Sequence, residues 1–529
     1  MEELTYSYKR KKPEGKFDSI IIGSGLGSLT TASLLAQKGQ RVLILEQHYT
    51  PGGFTHVFKR KRFEWDVGVH YIGEVHDERT ILRRLFDALT DNKLKWEPMG
   101  EVYDRIIFGE KIYNFRKSVE AWSADLKKEF PEETDAIDKY LELVFAATKA
   151  SRDYFAQKAM PDLVSKLVGG KMRNKFYSFS DKITLDVLKS ITSNTKLIGV
   201  LTGQFGDYGL PPAESSFGMH AMLVKHYFKG GAYPVGGSGQ IADTMIPIIQ
   251  KYGGEVYTNA SVAKIAVKNN KATGVIMEDG IEISASRVIS GAGAWNTFAK
   301  LLPNVKGAEK MKKTVEDIGR SASHISLYIG LDKTSSELNL PKANYWIYPE
   351  CYDHDLNIKN FMADPEAPLP VCYISFPSAK DPDFENRYPG RSTIEIVSLA
   401  PYEWFEKWED TRWKKRGDEY EAFKDQLKNK LLEQLYRFEP QVKEHIEIAE
   451  LSTPLSTAHF SGYPQGEIYG LAHSPERFRQ ADLRPKTDIK NLWLTGQDIV
   501  SCGIGGALFS GILTASAITK KNILSDILK

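Results

Sequence analysis

Gly23-Ser24-Gly25-Leu26-Gly27-Ser28, the acid Glu46 and the pair Gly52-Gly53 are the residues of this chain whose types and spacing point most directly to chemistry. A glycine turn between a strand and a helix brings backbone N–H groups against a pyrophosphate. Gly23 permits the turn, Gly25 lets the main chain approach the phosphates, and a helix from about Gly27 aims its free N–H groups at them. Glu46 comes 21 residues after Gly25, near the roughly 20 at which an acid meets a ribose 2′-hydroxyl. The same carboxylate repels a 2′-phosphate. Ser28 stands where the fingerprint has its third glycine, and its small side chain still admits close helix–strand packing. Strand, turn, helix, acid and Gly52-Gly53 together read as a dinucleotide site.

A second constellation lies near the end of the chain. Gly496-Gln497-Asp498 follows the apolar run Leu492–Thr495, and Gly503-Ile504-Gly505-Gly506 opens a helix from about Gly505. A carboxylate at Asp498 can take a ribityl hydroxyl, and the helix N-terminus favours an anion. Asp498 as a plain capping residue is the alternative at this point.

These residues need a scaffold. Residues 17 to about 60 form a β-α-β unit, and Phe63–Gly73 reads as extended, glycine-rich backbone. Residues from about 80 to 230 read as mostly helical, with a charged segment from Glu120 to Lys139. Ile241, Met245, Ile248, Ile249 and Tyr252 fall at helical spacing, with a kink expected at Pro247. Short β-branched runs at Ala263–Val267, Thr273–Met277 and Glu282–Ile289 follow, the last two joined by the hairpin signal Asp279-Gly280. Strands at His324–Gly330 and Thr393–Leu399, a helix over Asp418–Tyr436, and a closing helix presenting Leu508, Ile512 and Ala515 complete the reading. Nucleotide pieces at both ends and in the middle imply a discontinuous domain of residues 16–78, 236–310 and 486–529. A substrate domain of 79–235 and 311–485 is inserted between them. One fingerprint leaves no resident second site for NAD(P)H, which is expected only as a transient electron donor.

Composition narrows the class. The 529 residues exceed one simple core, and 70 Lys+Arg against 68 Asp+Glu exclude a dedicated nucleic-acid binder. Cys351, Cys372 and Cys502 form no metal or CxxC spacing, which suggests reduced thiols in a cytoplasmic setting. The segment Met1–Lys12 has no apolar core of a secretory signal, and no run of 18 apolar residues occurs. Met160–Tyr177 mixes apolar residues with Lys166, Lys171, Arg173 and Lys175. It reads either as a peripheral membrane contact admitting a lipid-soluble substrate or as a helix with one face on the core and a solvated basic face.

The arrangement resembles the amine-oxidase and phytoene-desaturase flavoproteins. Phe63–Gly73, His226–Gly237, Gly466–Phe478 and Leu494–Gly503 resemble the retinol saturase branch in particular, with carotenoid cis–trans isomerases as more distant relatives. The resemblance implies an α/β fold: a Rossmann-like FAD-binding domain with a discontinuous α+β substrate domain. It implies non-covalent FAD, with its ADP half at Gly23–Ser28, Glu46 and Gln47. The isoalloxazine is expected among Gly52-Gly53-Phe54-Thr55, Asp66–Tyr71 and Gly496–Gly506, and Val262 completes the cofactor set. Phe54-Thr55 departs from the animal enzymes. The implied substrate is a hydrophobic polyene, and the implied reaction is saturation of a conjugated C=C, as retinol saturase performs at the 13,14 bond. Isomerisation without net redox change is the first alternative and desaturation the second. A prenyl-protein escort scaffold without flavin would have little use for Glu46, Gly52-Gly53 and Asp498. Saturation needs a hydride and a proton, and the candidate acids are His70 or Tyr71 first, then His220, His226, Tyr227, Tyr233 and His473.

Overall fold

The computed structural model describes residues 4–160 and 162–529, and the side chains of Asp162, Leu163 and Lys166 lie outside the described residues. So do Met1–Glu3, the start of the N-terminal segment discussed above, and Pro161.

Strand β1 (Phe17–Ile22) is buried except at Asp18, the pattern of a parallel strand covered on both faces. It pairs in parallel with β2 (Val42–Leu45) and with Glu282–Ser290, whose end also pairs in parallel with β3 (Leu492–Leu494). The sheet runs Tyr6–Ser7, Glu255–Thr258, β2, β1, Glu282–Ser290, Lys271–Met277, Val262–Lys268, with β3 branching from Glu282–Ser290. The last three form the antiparallel meander with its turn at Asp279-Gly280. Helix α1 (Leu26–Ala36) connects β1 to β2, and all eleven of its residues are buried. It packs against helix α2 (Gly503–Thr519) through small residues, since a Cβ on Gly511 would stand 2.5 Å from Thr30 Cβ. Leu508, Ile512 and Ala515 are buried, as their spacing predicts.

A second sheet has the order Ile446–Ser452, His324–Leu331, Ser392–Leu399, Cys372–Ser375, Asn344–Tyr348, Val102–Phe108, Lys111–Arg116. It is antiparallel except where Asn344–Tyr348 meets Val102–Phe108. Helix Asp418–Phe438 packs on it through Leu427, Leu431 and Leu435.

Two sequence expectations change, those for residues 80–230 and for Phe63–Gly73. The stretch from 80 to 230 is helical at Ile81–Leu89 and again from Val119 onward, but Trp96–Pro98, Val102–Phe108 and Lys111–Arg116 between them are strands. Val102-Tyr-Asp-Arg-Ile-Ile-Phe108 is rich in β-formers and pairs with Lys111–Arg116 across a turn at Gly109, where φ is +57°. Helix Gln240–Lys251 is continuous through Pro247. Phe63–Gly73 is not uniformly extended: Phe63–Asp66 pairs with Val57–Arg60, and a turn leads to Ile72–Gly73.

Candidate active site

The chain turns sharply at the ends of β1 and β2. Gly23 takes φ +84°, which glycine adopts freely, and its N–H donates to Leu45 O at 2.8 Å. Glu46 is buried beside this turn. Its Oε2 accepts from Ser24 N–H (2.8 Å) and Ser24 Oγ–H (2.6 Å), and its Oε1 accepts from His48 N–H (2.8 Å). Ser24 Oγ accepts in turn from Gly52 N–H at 3.0 Å. Glycine turn, acid and Gly52-Gly53 are thus one hydrogen-bonded unit.

No atom lies within 4 Å of where a Cβ would stand on Gly25, Gly503 or Gly505. Neither α1 nor α2 has a side-chain cap, so no capping side chain occupies the N–H groups of their first turns. Both N-termini open onto one cavity of about 2150 Å³. Ordinary ligand pockets hold roughly 300–1,000 Å³, so this space accommodates a dinucleotide and a second, long molecule.

The residues named from sequence for the cofactor line this cavity, except Asp66, Asp498 and Ile499. Asp498 is buried behind the wall, its Oδ1 accepting from Leu471 N–H (2.9 Å) and its Oδ2 from Ala294 N–H (2.7 Å). The ribityl contact expected of it gives way to a bracing role, because a buried carboxylate goes to the donors that enclose it.

His70 and Tyr71 line the far part of the cavity. His70 Nδ1 lies 2.9 Å from Glu395 Oε2. Burial and the nearby Lys380 pull His70 down to about 4, and burial pushes Glu395 up to about 8. Tyr71 stacks on Tyr227 with centroids 4.4 Å apart. Its hydroxyl lies 2.8 Å from Asp104 Oδ2 and 3.2 Å from Asp207 Oδ2. Asp104 also accepts from Gln204 Nε2 (2.7 Å) and Asn344 Nδ2 (2.8 Å). Lys380 Nζ donates to His70 O (2.9 Å), to Ser375 Oγ (2.8 Å) and to Asn344 Oδ1, which fixes the amide so that its nitrogen faces Asp104. Burial draws Lys380 down to about 7.

The profile of the flavin-containing amine oxidoreductase family matches residues 29–519. The chain belongs to this family. It is 38% identical over 530 aligned residues to an all-trans-retinol 13,14-reductase of Danio rerio, covering 96% of this chain and 86% of the relative. A second Danio rerio relative, named an inactive all-trans-retinol 13,14-reductase, is 32% identical and covers 99% and 89%. A chloroplastic prolycopene isomerase of Daucus carota is 25% identical, covering 95% and 80%. Among solved structures, an oxidoreductase from Methanosarcina mazei shares the fold with a TM-score of 0.63 at 16% identity, covering 95% of this chain and all of that one.

As a member of the amine oxidoreductase family the protein is a flavin-dependent oxidoreductase, and the cofactor is FAD. The residues present fit that cofactor: two uncapped helix N-termini face one cavity, three glycines leave room where side chains would intrude, and a fixed carboxylate ends β2. The other candidate acids divide. His226 and Tyr227 line the cavity, whereas His220, Tyr233 and His473 do not. His220 sits between Tyr140 and Tyr208 hydroxyls, Tyr233 donates to Asp66, and His473 Nε2 accepts from Cys502 N–H. Asp207, Asp104, Lys380 and Glu395 escaped the sequence reading. The available signal was Gly203-Gln-Phe-Gly-Asp-Tyr-Gly209, where polar side chains alternate with glycines after an apolar helix.

Proposed function

We propose that the protein saturates one conjugated C=C bond of a retinoid or related polyene, with all-trans-retinol as the leading substrate. The observation that carries this reading is the single cavity joining the dinucleotide cradle to an apolar chamber under the second sheet, where Tyr71 and Asp207 face the space. The near full-length similarity to named all-trans-retinol 13,14-reductases supports the substrate class. One such relative is named inactive, so the reaction needs its own test.

We assign residues 16–78, 236–310 and 486–529 to cofactor binding, and 79–235 and 311–485 to the substrate. Reduced FAD supplies the hydride that such a saturation requires. The chain's own residues do the rest. Gly25 and the α1 N-terminus receive the pyrophosphate, Glu46 holds the ribose, and the α2 N-terminus favours negative charge on the flavin. Trp346, Tyr373, Val397 and Leu399 line the chamber and keep water from the polyene. The proton arrives at the Tyr71 end. His70, neutral at pH 7, orients its surroundings instead of donating.

Electrons enter from a visiting donor, for which we propose NAD(P)H. Among the described residues no helix is long and apolar enough to cross a membrane. Helix Asp162–Ser180 nevertheless exposes Val164, Leu167 and Val168 on one face, with Leu167 78% exposed. Arg173 is engaged with Gln157 and Lys175 lies 3.8 Å from Asp153, while Lys171 is exposed one turn beyond Val168, so this face combines apolar side chains with a basic one. The residues just before it, Phe155, Ala156, Ala159 and Met160, line the cavity. We therefore propose peripheral membrane docking by this helix in the cytoplasm. Leu167→Asp with Val168→Asp should abolish sedimentation with anionic vesicles, and unchanged sedimentation would sink the idea.

The decisive experiment is anaerobic incubation of chemically reduced holoprotein with all-trans-retinol and a panel of carotenoids, read by mass spectrometry. A gain of two hydrogens establishes saturation. Unchanged mass with a shifted retention time moves the reaction to isomerisation. No change with any polyene refutes the proposal.

A further inference from the structure

Tyr71 has one hydroxyl proton and two carboxyl groups within reach, Asp104 at 2.8 Å and Asp207 at 3.2 Å. One proton cannot satisfy two carboxylates. Burial raises the Asp104 carboxyl, but three donors, from Tyr71, Gln204 and Asn344, and the nearby Lys380 pull it back down, so of the two acids Asp104 is the one that ionises first. Among the described residues Asp207 has Tyr71 as the single hydrogen-bond partner of its carboxyl, and it lines the cavity while Asp104 does not. The contact is favourable when Asp207 carries its own proton and donates it to the Tyr71 oxygen, while Tyr71 donates to Asp104.

We infer that Asp207 is a neutral carboxylic acid and the proton donor to the substrate, with Tyr71 and Asp104 as its positioning residues. This rests on the saturase reading above. Burial and the Asp104 charge hold the Asp207 carboxyl well above the usual carboxylate range, in agreement with the hydrogen count. The placement also suits the chemistry. Asp207 O accepts from Cys502 Sγ–H at 3.4 Å, and Cys502 directly precedes the α2 N-terminus assigned to the flavin. Acid and hydride source therefore occupy adjoining walls.

In the step, the Asp207 O–H bond breaks with its electron pair left on the carboxylate, and the proton forms a C–H bond at one alkene carbon. The neighbouring carbon would gain the hydride that reduced FAD supplies, so the alkene would be reduced by two electrons at the expense of the reduced flavin. Asp207, now charged, accepts the hydrogen bond of Tyr71 until a proton from solvent restores it.

Two readouts test this. Infrared difference spectra of holoprotein at pH 7, wild type minus Asp207→Asn, should show one carboxylic-acid carbonyl band, and Tyr71→Phe should shift that band without removing it. Subtraction isolates Asp207 from the other raised carboxyls, Asp66, Asp104, Asp243, Asp355, Glu395 and Glu467. In single turnover with all-trans-retinol, Asp207→Asn should slow reoxidation of the reduced flavin by about 100-fold or more, at unchanged flavin content. Absence of the band, or reoxidation within about threefold of wild type, overturns the assignment. The infrared measurement needs no substrate. A wild type inert to every polyene would therefore defeat the saturase reading, while the band still decides whether Asp207 stores the proton.

Discussion

Replacing Gly25 with alanine should separate folding from cofactor binding. Gly25 has φ −60° and ψ 164°, backbone that any residue adopts, and nothing lies within 4 Å of its Cβ position. The apoprotein should keep its stability, with restriction of the unfolded chain adding about 0.4–1 kcal/mol. The methyl group instead takes the space at the α1 N-terminus that a pyrophosphate needs. Losing one charge-assisted hydrogen bond there is worth about 1.5–3 kcal/mol, so FAD should bind about 10- to 150-fold more weakly. At a concentration 100 times the wild-type Kd, FAD stabilises the wild type by about 2.7 kcal/mol. With Kd raised about 100-fold, the same FAD stabilises the variant by about 0.4 kcal/mol. Urea unfolding with and without FAD reads both effects. Gly27→Ala is the contrast: its Cβ would stand 2.7 Å from Gly496 N and 2.8 Å from Gly496 Cα. That overpacking should destabilise the apoprotein by about 1–3 kcal/mol. Equal FAD-dependent stabilisation of wild type and Gly25→Ala would refute the reasoning, as would an apoprotein as damaged as Gly27→Ala.

Glu46→Gln should lose FAD on desalting, with affinity down about tenfold or more, and full retention of flavin colour would contradict the ribose assignment. Burial lifts Glu395 from 4.5 to about 8, so between those values the folded protein holds a proton that the unfolded chain has released. Its stabilising contribution is complete below about 4.5 and falls by up to about 1.4 kcal/mol per pH unit until about pH 8. Asp66, lifted to about 7, acts in the same direction. Urea midpoints for Glu395→Gln should therefore be flatter from about pH 5 to about 8 than those of the wild type, and parallel curves would rule this out. His70→Gln should keep turnover within about tenfold, because a group near 4 is not the acid at pH 7; a loss of 10²–10⁴-fold would restore His70 as the donor.

The hydrogen-bonded unit of glycine turn, Glu46 and Gly52-Gly53 was legible in the sequence because most of its parts are local. Gly23 to Ser28 follow β1 directly, and Glu46 ends the strand that pairs beside it, so residue spacing alone dictates where each group points. The long helices and the hairpin at Asp279-Gly280 were legible for the same reason. The strands at residues 96–116 were not, because only their place in the second sheet makes them strands. Asp498 shows the limit at a single site: its position after β3 suggested a ligand contact, and the backbone N–H groups of Ala294 and Leu471, brought in from distant segments, claim it instead. Gly25 and Gly27 look interchangeable in the chain, yet one borders open space and the other touches Gly496. The acid end of the cavity was decided wholly by tertiary structure. Tyr71, Asp104, Asp207 and Asn344 come from separate segments, and which carboxyl keeps its proton depends on burial and on how many donors converge there. No local pattern of residues carries either quantity.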